Sequence, residues 1–86
     1  MRLLVTGGYG FIGSNFILKL LKENNDFQII NIDGELTGSN PKNLVEVQNH
    51  KNYEFVKGNI TNKKFMEEQI TNCDAVINFL FVILPL

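Results

Sequence analysis

Gly7, Gly10 and Gly13 recur at every third position, and Asp33 stands 20 residues beyond the last of them. The apolar run Leu3-Leu4-Val5 precedes these glycines, an amphipathic stretch follows them, and Asp33 closes a second apolar run, Ile29-Ile30-Asn31-Ile32. Strand, glycine turn, helix, strand, acid is the order a dinucleotide-binding βαβ unit requires. In such a unit Gly7 permits the tight exit from the strand, Gly10 lets a pyrophosphate approach the backbone, and Gly13 lets the helix pack closely on the sheet. The N–H groups of Phe11 and Ile12 then point at the phosphates in the positive field of a helix N-terminus. The Asp33 carboxylate can accept hydrogen bonds from the adenosine ribose hydroxyls. It would repel a 2′-phosphate, and Gly34 offers no arginine to hold one, so the pattern favours NAD over NADP. The bland alternative is a turn that merely joins a strand to a helix. Three glycines alone would not decide against it; strand, helix and acid in register do.

The remaining sequence supplies the elements that position this constellation. Residues 2–6 are almost wholly apolar and read as a strand buried on both faces. Over residues 11–24, Phe11, Ile12, Phe16, Ile17, Leu20 and Leu21 recur at helical spacing while Lys19, Lys22 and Glu23 fall elsewhere. Residues 27–32 read as a second strand and 34–42 as a loop of turn formers. Residues 43–49 can hold a short helix with Leu44, Val45 and Val47, and residues 53–57 a third strand. Thr61 is the expected N-cap of a helix over 62–70 with Phe65, Met66 and Ile70 facing inward, and residues 73–79 read as a fourth strand. Parallel strands joined by right-handed crossovers give the sheet order 3-2-1-4. The expected fold class is therefore α/β, a partial Rossmann-type parallel sheet of about four strands with flanking helices. It spans residues 1–79, and residues 80–86 form an apolar tail.

Bulk properties exclude several classes of function. Eighty-six residues suffice for one small domain. A net charge of −1 with interspersed signs argues against nucleic-acid binding. The single cysteine, Cys73, permits no internal disulfide and fits a reduced, cytoplasmic setting. The apolar segment 75–86 is shorter than the roughly 20 residues a membrane span needs, so no membrane role is expected.

The stretch TGGYGFIGS, followed by NID, GSNPKNL, YEFVKGNI and DAVINF, resembles the extended short-chain dehydrogenases. Among them it is most similar to dTDP-glucose 4,6-dehydratase-like nucleotide-sugar dehydratases and epimerases. The resemblance runs from residue 1 to about 79 and implies NAD as cofactor. It also implies that Gly34, Glu35 and Leu36 line the adenosine ribose, and that the segment Gly58-Asn59-Ile60 holds adenine. The family has Gly-Asp-Ile there; an Asn59 carbonyl can still accept from the adenine amino group. After strand four the family has two small alanines and a polar stretch, where this chain has bulky Leu80 and Phe81. The family's catalytic Tyr-x-x-x-Lys pair, its water-eliminating residues and its sugar-binding domain fall beyond these residues. The resemblance thus implies a truncated cofactor-binding module with no catalytic residue of its own. Two alternatives stay open: the cofactor half of a two-chain enzyme, and a non-enzymatic assembly protein that keeps only the fold.

Other chemistry-bearing residues read as ordinary. Tyr53 and Lys57 form a literal Tyr-x-x-x-Lys, but on a strand at the adenine end rather than on a helix beside the nicotinamide. His50 stands in a polar loop with no second metal ligand nearby, and no metal is expected. Lys63-Lys64 and Glu67-Glu68 read as a solvated helix face. An edge position for the apolar strand four, with unequal cover on the two sheet faces, predicts a homodimer or larger oligomer through residues 75–86.

Overall fold

The computed structural model describes residues 1–23, 26–34 and 39–79. The elements follow in the order β1 (Arg2–Thr6), α1 (Phe11–Glu23), β2 (Gln28–Asp33), a 3-10 helix (Pro41–Val47), β3 (Tyr53–Lys57), α2 (Lys63–Ile70) and β4 (Ala75–Asn78). The strands form one parallel sheet in the order β3-β2-β1-β4, the expected topology. β1 and β2 lie inside, which is why their apolar runs are buried on both faces. Leu36, proposed at the ribose, and the tail 80–86 lie outside the described residues, as do Asn24 and Asn25 at the expected end of the first helix.

The two faces of the sheet are covered unequally. On one, Leu3, Val5 and Ile29 pack with Ile17 and Leu21 of α1, with Leu44 and Val47 of the 3-10 helix, and with Tyr9. On the other, Leu4, Ile30 and Ile32 meet, among the described residues, only half-buried partners, including Phe65 and Met66 of α2 and Cys73. No residue of α2 is fully buried. Val76 of β4 stays 45% exposed on that side.

Four local expectations need correction. The cap of α2 is Asn62, whose Oδ1 accepts from the Phe65 N–H at 3.1 Å. Thr61 instead donates to Asn59 Oδ1 through its N–H (3.0 Å) and its hydroxyl (2.8 Å). Asparagine outranks threonine as a cap, and Asn59 captures both threonine donors in a local turn. Ile70 does not face inward; it is 41% exposed at the end of a helix too short to cover its face. Phe11 and Ile12 match the apolar period of α1 but are 79% and 65% exposed. They occupy the first turn, so their side chains lie outside the core that α1 shares with the sheet. Finally, the short helix expected over 43–49 is a 3-10 helix at Pro41–Val47, with Leu44 away from helical backbone angles.

Candidate functional site

The site grows from the register of β1 on β2. Thr6 pairs with Ile32, so the chain leaves β1 beside Asp33. Gly7 turns there with φ of 76°, in the left-handed region that a side chain would strain. Its N–H donates to Ile32 O (3.0 Å), and its carbonyl accepts from Gly10 N (3.2 Å). Helix α1 starts at once, and its first bond runs from Ser14 N to Gly10 O at 2.9 Å. The N–H groups of Phe11, Ile12 and Gly13 precede that bond, so the helix itself offers them no acceptor. Those of Phe11 and Ile12 are the donors expected to face an anion, at the positive end of a helix of 13 residues.

Space at the turn is divided in two. A methyl group on Gly13 would collide with the Gly7 carbonyl and stand 3.0 Å from Gly8 Cα, so this glycine lets α1 sit directly on the turn. A methyl group on Gly10 would meet only Gly7 O, at 3.4 Å. Among the described residues, the space where that methyl group would stand is therefore otherwise open, as close approach by a pyrophosphate needs. The residues present thus fit a dinucleotide.

β2 grips the turn from below with two buried polar side chains. Asp33, 1% exposed, accepts the Tyr9 N–H through Oδ2 at 3.1 Å. Asn31, fully buried, accepts the Gly8 N–H through Oδ1 at 2.9 Å and donates through Nδ2 to the Tyr53 hydroxyl at 3.1 Å. From the side, the Tyr9 carbonyl accepts both Asn40 N (3.0 Å) and Asn43 Nδ2 (2.9 Å). Asn40 also caps the 3-10 helix through Lys42 N. The asparagine-rich NPKNL segment is thus a clamp on the glycine turn, and Asn31, Asn40 and Asn43 were not among the expected site residues. A signal existed for the first: an amide inside an otherwise apolar strand must find buried partners.

The adenine end is more open. Gly58 N donates to Asp33 O at 3.3 Å, which draws the end of β3 to the acid. Gly34 and Ile60 are half-buried, and Asn59 is exposed with its Oδ1 already accepting from Thr61. Glycine at position 58 leaves room for the Phe65 ring of α2. At the far side of the turn, the Thr6 hydroxyl donates to Asn78 Oδ1 at 2.6 Å, which ties β4 to β1 at their carboxyl ends.

Tyr53 and Lys57 both lie on β3, a strand and not a helix. The two residues are four apart on one strand, roughly 13 Å at about 3.3 Å per residue. Burial, offset in part by hydrogen bonds from Asn31 and Tyr9, pushes the Tyr53 hydroxyl above its ordinary value. A catalytic tyrosine of this type needs the opposite shift. His50 is used structurally: its Nδ1 accepts from Asn52 N at 3.0 Å. Among the described residues no cluster of His, Cys, Asp or Glu could hold a metal ion, and no helix is long and apolar enough to cross a membrane.

A parallel βαβαβ sheet with a glycine turn against a helix N-terminus and an acid closing β2 defines a Rossmann-type dinucleotide-binding unit. Comparison with known proteins gives the family. The GDP-mannose 4,6 dehydratase family matches residues 4–80, and the chain belongs to it, within the extended short-chain dehydrogenase type. The mouse dTDP-D-glucose 4,6-dehydratase is 38% identical over 91% of this chain and 22% of its own length. The crystal structure of dTDP-glucose 4,6-dehydratase from Bacillus anthracis in complex with NAD superposes with a TM-score of 0.88 at 42% identity, over 95% of this chain and 27% of that one. The Streptomyces venezuelae enzyme, also with NAD bound, has a TM-score of 0.88 at 34% identity, over 96% of this chain and 27% of its own. The chain thus spans about a quarter of the length of these relatives.

Proposed function

We propose that this chain binds NAD by its adenosine-pyrophosphate end and supplies no catalytic group from these residues. The Phe11 and Ile12 N–H groups hold the pyrophosphate, Asp33 the ribose hydroxyls, and Gly34, Asn59 and Ile60 border the adenosine. The observation that carries the reading is the open space at Gly10 beside the α1 N-terminus, with buried Asp33 in register beyond it. NAD in the related crystal structures supports it. When bound, NAD supplies hydride transfer, as in nucleotide-sugar dehydration. In this reading Tyr53 directs no such reaction, because its hydroxyl is engaged by Asn31 inside the fold. A cytoplasmic setting belongs to this reading and is supported by the lone, half-buried Cys73 thiol.

Calorimetric titration with NAD and NADP tests the proposal. We expect saturable NAD binding, weaker NADP binding, and a loss of at least about tenfold in NAD affinity in Asp33→Ala, about what a charge-assisted hydrogen bond contributes. No heat at millimolar NAD from folded protein would remove it.

A second reading, assembly through β4, is favoured by the exposed Val76 on a strand that, among the described residues, pairs only with β1. An edge of this kind pairs readily with a second copy of itself. Light scattering on the eluting protein is expected to give a dimer or larger species, shifted toward monomer by Val76→Lys; a monomer at all concentrations would overturn it.

A further inference from the structure

We propose that Asn31, oriented by the Tyr53 hydroxyl, is the positioning residue that sets the glycine turn for pyrophosphate, so that a tyrosine remote from the ligand governs nucleotide affinity. The inference rests on the nucleotide-binding reading above and extends it to residues that touch no ligand. Gly8 and Tyr9 are consecutive, and both of their N–H groups turn inward, to Asn31 Oδ1 at 2.9 Å and to Asp33 Oδ2 at 3.1 Å. Their inward turn leaves the next donors, on Phe11 and Ile12, at the open end of α1. Asn31 is fully buried, and Gly8 lies so close to it that a methyl group there would collide with its amide. That contact leaves no room for a water between Gly8 and the Asn31 amide.

An asparagine amide has two nearly isosteric ends, and only the oxygen can receive the Gly8 N–H. The Gly8 N–H therefore selects the oxygen, and the Tyr53 hydroxyl holds that orientation by accepting from the other end. Nδ2 donates to the Tyr53 hydroxyl at 3.1 Å. The Tyr9 ring rests on Phe55 of the same strand, with ring centroids 4.7 Å apart. The turn is therefore tied to β3 twice, from Gly8 through Asn31 to Tyr53 and from the Tyr9 ring to Phe55. With phenylalanine at 53 the Asn31 Nδ2 loses its acceptor, and the amide that receives the Gly8 N–H is held at one end only.

Amide hydrogen exchange and NAD calorimetry on Tyr53→Phe and Asn31→Leu test this. Tyr53→Phe removes one oxygen atom and keeps the ring, so it is the variant expected to fold. In both variants the Gly8 amide is expected to exchange about tenfold faster or more, the size of one lost hydrogen bond. The Leu4 and Val5 amides of β1 should keep their protection, which separates a local change from general loosening. NAD affinity should fall by a similar factor. Gly8 exchange within about twofold of the parent, or faster Gly8 exchange with unchanged affinity, would overturn the proposal. A parent protein that binds no NAD would remove the nucleotide reading, and Gly8 exchange would then decide the holding role by itself.

Discussion

Gly13→Ala is expected to destabilise the fold by about 3 kcal/mol, the upper end of what overpacking a close contact costs. The added methyl group would run into the Gly7 carbonyl, with Gly7 C itself 3.1 Å away. Those are backbone atoms and cannot rotate aside. Gly7 is held by its bonds to Ile32 O and from Gly10 N, so the strain must move α1 outward and loosen Ile17 and Leu21 from the sheet. Gly10→Ala provides the contrast. Its methyl group meets one atom at 3.4 Å, so stability should stay within about 0.5 kcal/mol of the parent. Nucleotide binding should nevertheless be lost, because that methyl group fills the space a pyrophosphate enters. Urea unfolding and NAD calorimetry on the two variants separate the glycine that serves the fold from the glycine that serves the ligand. Equal stability of Gly13→Ala and the parent would refute the packing role.

Ile17→Ala is expected to be the most damaging core truncation, at about 2–5 kcal/mol. Ile17 is fully buried between α1, the sheet and the turn. Its Cδ1 lies 2.6 Å from where a Gly8 side chain would begin. Removing it opens a cavity directly beneath the glycine turn, so the site loosens along with the core. For a small domain with a stability of about 5–15 kcal/mol, this is a large share of the whole. Ile17→Val should cost only about 0.5–1.5 kcal/mol. Val45→Ala, at a side chain more than half exposed, should stay within about 0.5 kcal/mol. Thermal and urea midpoints across the three variants check the ranking; a mild Ile17→Ala would mean that α1 is held chiefly by the turn's hydrogen bonds.

Much of this architecture is legible in one dimension because its signals are local. The glycine spacing, the apolar runs of β1 and β2 and the acid at 33 all lie within one βαβ unit, and handedness then dictates the 3-2-1-4 order. Less legible were the features settled by competition between neighbours. Asn62 rather than Thr61 caps α2 because Asn59 takes both threonine donors. Phe11 and Ile12 keep the helical period of α1 yet lie at the site and not in the core, because period reports which side of a helix a residue occupies and not how far the sheet extends beneath it.

The sequence by itself determined the class of fold, the dinucleotide pattern and the placement of the acid, since each depends on residue type and spacing along a short stretch of chain. Only the tertiary structure decided how the turn is held. The grip on Gly8 and Tyr9 comes from Asn31 and Asp33 on β2, from Asn40 and Asn43 beyond it and, through Asn31, from Tyr53 on β3. These partners are 22 to 34 residues apart in the chain, and what joins them is the need of every buried N–H and amide for a partner, which no spacing rule encodes.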